Sequence, residues 1–255
     1  MKAMEKLIDI MSALRDPDSG CPWDREQTME SIVPYTLEEI YELVDAIEQN
    51  NTEEIRDELG DLLFHIIFYS QMASEAGSFD FAGVAGAVSE KLERRHPHVF
   101  AGQQLNSVEE VKSNWRKMKR EERGGDYLGA VARALPAMLR AEKLQKRAAQ
   151  AGFDWDEPAP VLAKVEEEVD ELKQGMAAGE GRSRLQAELG DVFFAAINLA
   201  RHLEINPETA LREANNKFEQ RFRFIQSTLE ANGENLETAT MERMDELWEQ
   251  AKNEL

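Results

Sequence analysis

Apolar residues recur at intervals of three and four along nearly the whole chain, and the polar gaps between these runs hold most of the glycine and proline. Leu37, Ile40, Val44 and Ile47 form one such stripe, while Glu38, Glu39 and Glu42 fall together on the other side of the same turns. The periodicity predicts helices near 2–14, 36–48, 52–76, 80–95, 107–122, 137–150, 160–178, 182–203, 207–230 and 240–253. Asp16-Pro17, Cys21-Pro22 and Pro34 are expected to punctuate the first connection. Runs of β-branched residues are scarce, and Leu, Glu, Ala, Lys, Arg and Met dominate, so the fold class is all-α.

The helical pattern occurs twice. "LEEIYELVDAI" matches "EEEVDELKQGM", "DELGDLLFHIIF" matches "AELGDVFFAAIN", and "EKLERRH" matches "NKFEQRF". "SNWRKMKREE" matches "DELWEQAKNE" in the same order, and "CPWD" is partly echoed by "FDWD". A period of about 130 residues is too long for a solenoid and points to a duplicated helical domain. "RGGDYLG" (Arg123–Gly129) is the best linker, which divides the chain into 1–122, a linker at 123–135, and 136–255.

Charge narrows the choice of partners. With 50 Asp and Glu against 30 Lys and Arg, the net charge is −20. That disfavours nucleic acid and anionic membrane surfaces, both of which require clustered cations. A single cysteine, Cys21, precludes an intrachain disulfide and fits a reducing cytoplasm. The N-terminal "MKAMEKLIDIMSAL" is charged and amphipathic, unlike a signal peptide, and no run is long and apolar enough for a membrane span.

The acids then become the central question. Glu58 and Asp61 lie three apart, on one face of an otherwise apolar helix continuing through Leu62, His65, Phe68 and Tyr69. A helix apolar nearly all round is expected to be buried, so paired carboxylates on it are costly unless protonated or held by a cation. Acids in a first turn merely favour the helix dipole, but Glu58 falls several residues inside. The second half repeats the set as Glu167, Glu168 and Glu171, then Glu188 and Asp191. An all-oxygen donor set indicates Mg2+, with Mn2+ as a possible substitute. Zinc is disfavoured: His96 and His98 have the wrong spacing and no cysteine partner, and the two Glu-x-x-His pairs that a di-iron bundle needs are not both present.

A carboxylate-bound Mg2+ usually keeps positions open for phosphates, and phosphates approaching so acidic a chain need local cations. Lys91 and Arg95 match Lys217 and Arg221, each pair four apart; Trp115 with Lys119 matches Trp248 with Lys252. Taken singly these read as a solvated face and core aromatics, but recurrence beside the same acids supports a phosphate clamp and an aromatic plate for a base. Lys164 and Arg184 sit close to the acids in sequence and are further phosphate candidates. There is no Walker-type loop and no strand-linked glycine fingerprint; "AAGEGRS" (Ala177–Ser183) reads as a connector. Cys21 has no evident base, so covalent catalysis is set aside.

"EEIYE…ELGD" and "EEVDE…ELGD", together with "GCPWDREQT" and "KLERRHPHVF", resemble the MazG family of all-α nucleoside triphosphate pyrophosphohydrolases over essentially the whole chain. The resemblance implies two tandem helical bundles, a homodimer, and Mg2+-dependent hydrolysis of NTPs and dNTPs to monophosphate and pyrophosphate with broad base tolerance. It implies metal binding by Glu168, Glu171, Glu188 and Asp191, with counterparts Glu39, Glu42, Glu58 and Asp61. Glu167 or Glu38 is then left to orient or deprotonate water, with Lys217, Arg221 and Lys252 as clamp and Trp248 as plate. Asn198 replaces Phe68 on the metal face, which favours the second half as the active one. The alternatives are a narrow dUTPase- or dCTPase-type hydrolase and a non-enzymatic acidic scaffold.

Overall fold

The computed structural model describes residues 2–103, 107–121, 126–129 and 131–254, with the side chains of 112, 116, 117 and 119–121, Lys119 among them, outside that description. The described residues form twelve helices and no strand. The chain divides into two compact units, Met1–Arg116 and Lys117–Leu255.

The first unit holds α1 (Lys2–Leu14), α2 (Pro22–Glu26), α3 (Met29–Glu48), α4 (Thr52–Glu75), α5 (Phe81–Arg95) and α6 (Pro97–Phe100), and α7 (Val108–Glu121) begins in it. Both α1 and α3 pack against α4. Met11, Ile32, Ile67, Phe68 and Met72 make the core between them. The second unit holds α8 (Ala137–Gln150), α9 (Pro158–Ala177), α10 (Arg182–His202), α11 (Pro207–Ala231) and α12 (Met241–Glu254). There α9 and α8 pack on α10, and Ile225, Leu229 and Leu247 join α11 to α12.

The expected helices appear, with three differences. Pro34 does not punctuate the chain: α3 starts earlier, at Met29, where Thr28 and Ser31 form a capping box. Pro34 then lies inside the helix, where its missing N–H leaves only the Glu30 carbonyl without a helical donor, a modest loss this near the start. Two short helices outside the expected set, α2 and α6, each begin on a proline. Third, α4 is buried on one face only, and Leu59 and Ile66 remain exposed. The α3 stripe is likewise uncovered, with Leu37 and Ile47 each about half exposed.

The hairpin that brings the acids together is the same in both units. After α3, Asn51 N–H donates to the Ala46 carbonyl and Asn50 N–H to Ile47, with Asn50 at φ 55°. After α9, Glu180 N–H donates to Gly175 and Gly179 N–H to Met176, with Gly179 at φ 67°. Each is a Schellman ending, which requires a left-handed residue; asparagine and glycine are the two types that adopt it readily.

Candidate metal centre

In the first unit the turn sets Glu39 of α3 against Glu58 and Asp61 of α4, each offering an oxygen within 4.8 Å of the others'. Glu39 is half-buried, and its carboxyl is pushed up to about 7, first by burial, then by the hydrogen bond to Glu58 and the charges of Asp61, Glu42 and Glu58. The carboxyl that is raised thus lies on the facing helix, α3. Glu58 Oε2 is buried with no hydrogen-bond partner among the described residues. A hard cation answers both conditions: it satisfies the orphaned oxygen and keeps Glu39 ionised, so the residues present fit Mg2+ or Mn2+. Glu42 contributes charge from outside the three converging acids, and Glu38 is exposed. One turn beyond Asp61, His65 is buried, and burial lowers its pKa against the pull of Asp61.

The second unit converges Glu168, Glu171 and Glu188, again within 4.8 Å. Asp191 is exposed and lines a cavity together with Glu168. Here the acids have counter-charges. Lys164 Nζ lies 2.9 Å from Glu167 and 2.8 Å from Glu168, and Arg184 Nη2 lies 2.5 Å from Glu188. The two carboxylates raise the Lys164 pKa above its usual range. Four residues before Glu39 and Glu58 the first unit carries Tyr35 and Glu54 instead. The acids recur; their neutralising cations do not.

A cavity of about 410 Å³ opens beside Glu168 and Asp191, walled by Phe153, Trp155, Val161 and Phe194 and reached by Gln145 and Asn198. Asp154 accepts from Arg201 at 2.9 Å and pairs with His202 at 3.0 Å, which fixes the Phe153–Trp155 segment onto α10. These hydrogen bonds, Arg201 first, hold the Asp154 carboxyl below its usual range. In the first unit the Asn198 position is Phe68, fully buried with the Arg15 guanidinium 5.4 Å from its ring centroid.

The clamp candidates assemble away from this cavity. Arg221 stacks 5.4 Å from the Trp248 centroid, Trp248 packs on Phe218 and the α11–α12 core, and Lys252 pairs with Glu249 at 2.5 Å. Lys217 is exposed on the same helix as Arg221. None of these four lines the cavity. In the first unit Trp115 Nε1 donates to the Arg95 carbonyl at 2.7 Å and the ring meets His96 edge-on, while Lys91 borders a groove with Phe81 and Val84. The Arg–Trp pairing thus recurs, by ring face in one unit and by backbone in the other. Gln145, Asp154 and Arg201 were not expected from sequence. The "FDWD" echo marked the segment of Asp154, whereas nothing marked Gln145.

The profile of the MazG nucleotide pyrophosphohydrolase domain matches residues 27–100 and 157–224, the two acidic hairpins with the helix after each. The chain belongs to the MazG family. It is 47% identical over 259 residues, 100% of this chain and 98% of the relative, to a nucleoside triphosphate pyrophosphohydrolase of Escherichia coli. Across 97% of this chain and 95% of the relative it is 41% identical to the nucleoside triphosphate pyrophosphohydrolase/pyrophosphatase MazG of Thermotoga maritima. A MazG segment in each unit accounts for the repeat, and both segments contain the acids together with Lys91 and Arg95 or Lys217 and Arg221. Trp115, Trp248, Lys252 and all of α8 lie outside the matched segments. No helix among the described residues is long and apolar enough to cross a membrane.

Proposed function

We propose that this MazG protein is a Mg2+-dependent nucleoside triphosphate pyrophosphohydrolase of broad base tolerance, acting through its second unit. The observation that carries the assignment is the company kept by the acids there: Lys164 and Arg184 paired to them, and a cavity of about 410 Å³ opening beside them. Relatives of nearly equal length bear the corresponding name. Glu168, Glu171, Glu188 and Asp191 are the residues that would hold Mg2+, Mn2+ being a substitute. When bound, the ion would neutralise phosphate charge and polarise the phosphoryl group.

The protein's own groups do the rest. Glu167, exposed and bonded to Lys164, accepts a proton from water as the water oxygen attacks the α-phosphorus. The bond from that phosphorus to the bridging oxygen breaks, and pyrophosphate departs with its electron pair. Lys164 and Arg184 are the cations nearest the acids and take the charge gathering on the phosphate oxygens. Lys217, Arg221, Trp248 and Lys252 sit on α11 and α12, with Lys217 exposed and Arg221 held against Trp248.

The uncovered apolar side chains, Phe193 at 60% and Phe218 at 59% exposure, support assembly as a homodimer. Pyrophosphate release measured for Glu171→Gln and Glu42→Gln tests the assignment. The first change abolishes hydrolysis and the second spares it; equal losses would place the chemistry in both units. A panel of the common NTPs and dNTPs separates broad hydrolysis from the narrow dUTPase- or dCTPase-type alternative, which would give one strongly preferred base.

A further inference from the structure

The acids of the second unit already hold side-chain cations. Lys164 Nζ lies 2.8 Å from Glu168 Oε1, and Arg184 Nη2 lies 2.5 Å from Glu188 Oε1. Both carboxylates belong to the three that converge there. Each cation also reaches a second carboxylate outside that set. Lys164 Nζ is 2.9 Å from Glu167, and Arg184 Nε is 3.5 Å from Glu180. The two kinds of acid differ in burial. The side chains of Glu168 and Glu188 are 10% and 4% exposed, whereas Glu167 and Glu180 are open to solvent. The cations stand between them, Lys164 at 37% and Arg184 at 63% side-chain exposure, so their heads have room to move where the buried acids have none. The matching positions of the first unit hold Tyr35 and Glu54.

A divalent ion entering the converging acids meets two positive groups on the same carboxylates. Like charges this close repel strongly in a partly dry site. The buried carboxylates are fixed on facing helices, so the partners that yield are the exposed ones. We infer that Lys164 and Arg184 are place-holders, satisfying Glu168 and Glu188 until an arriving divalent ion displaces them toward Glu167, Glu180 and the phosphates of the substrate. The inference rests on the second unit's acids being the Mg2+ site proposed above. It gives the two cations opposite effects on two binding events. They weaken the hold on a metal ion alone, and they strengthen the hold on metal with a triphosphate, whose oxygens receive them. Metal and triphosphate therefore bind cooperatively, and each raises the affinity for the other by the same factor.

Mn2+ binding to the nucleotide-free, full-length protein, read from loss of the free-ion EPR signal, tests this. A Glu58→Gln/Asp61→Asn background silences the first unit's cluster. In that background Arg184→Met is expected to bind Mn2+ roughly tenfold more tightly than its parent, the worth of one charge-assisted hydrogen bond to a buried carboxylate. Unchanged or weaker affinity overturns the inference. A measurement on the unsubstituted protein holds even if the variant fails to fold. Acetic anhydride labelling of Lys164, followed by mass spectrometry, should rise several-fold on adding saturating Mg2+ without nucleotide, because the amine is driven off Glu168. Labelling that Mg2+ leaves unchanged overturns the inference as well. Binding of Mn2+ by neither parent nor variant would instead sink the metal site itself, and the place-holder role with it.

Discussion

The unneutralised acids of the first unit have a measurable consequence for stability. Glu39 ionises at about 4.5 in the unfolded chain but near 7 in the fold, where burial, Glu58, Asp61 and Glu42 all oppose its charge. The folded state therefore binds more protons than the unfolded one between these values, and stability falls as pH rises through that window. Below 4.5 the penalty is nil; above about 7 it is complete. A rise from 4.5 to about 7, at about 1.4 kcal/mol per unit, sets an upper bound of about 3.5 kcal/mol, and solvent screening of a half-buried group reduces it to about 1–2 kcal/mol. Glu39→Gln keeps the shape and still donates to Glu58. In EDTA, the variant should match wild type at pH 5 and exceed it by about 1–2 kcal/mol at pH 8. Urea titrations of both proteins at several pH values, followed by tryptophan fluorescence, read this directly. A gain that is constant with pH, or larger at pH 5, refutes the account of the cluster. Millimolar Mg2+ should reverse the order at pH 8, because only wild type retains the full ligand set.

Four further outcomes follow from the same geometry. Arg15→Ala should cost about 2 kcal/mol in urea unfolding, since the guanidinium joins Glu75 to the Asp24 and Gln27 carbonyls and covers Phe68. Asp154→Asn should raise KM more than it lowers kcat, by releasing the Phe153–Trp155 wall from Arg201 and His202; steady-state kinetics check the split. The stability Asp154 contributes is present at neutral pH and lost only as pH falls through its depressed folded value, below 3.8, so the wild-type advantage over Asp154→Asn should persist down to about pH 4. Glu54→Arg, placing in the first unit the cation that Arg184 supplies in the second, should pair with Glu58 and lower the pKa of Glu39, which NMR titration of the side-chain carboxyl would detect.

Much of this arrangement could be read from the chain because it obeys the helical period. The acids converge since residues three apart share a face and the same Schellman ending folds each hairpin. The counter-charges were legible on the same ground: Lys164 precedes Glu168, and Arg184 precedes Glu188, by four residues. Treating both cations as phosphate ligands alone overlooked that pairing. Pro34 misled because proline's cost depends on its distance from the helix start, and that start is set by Thr28 and Ser31, six and three residues earlier. Trp248 looked like an open plate, yet whether its face is free depends on Arg221, which only the approach of α12 to α11 decides. Gln145 carried no signal at all. Its place at the cavity is set by a hydrogen bond to Phe194, a residue forty-nine positions away.

Three of the differences between the units lie beside the acids, and none of them replaces one of the converging acids. Tyr35 stands where the second unit has Lys164, Glu54 where it has Arg184, and Phe68 where it has Asn198. The first two changes remove the cations that pair with Glu168 and Glu188, and the third fills with aromatic core the space that becomes a chamber in the other half. A carboxylate cluster alone can hold a hard cation; it cannot by itself attract a polyphosphate to a chain of net charge −20. On the function proposed, activity should therefore follow the counter-charges and the chamber rather than the acids. Restoring a lysine at 35 and an arginine at 54 should improve phosphate affinity in the first unit without creating turnover, because Phe68 still fills the space that is open cavity beside Asn198 in the second unit.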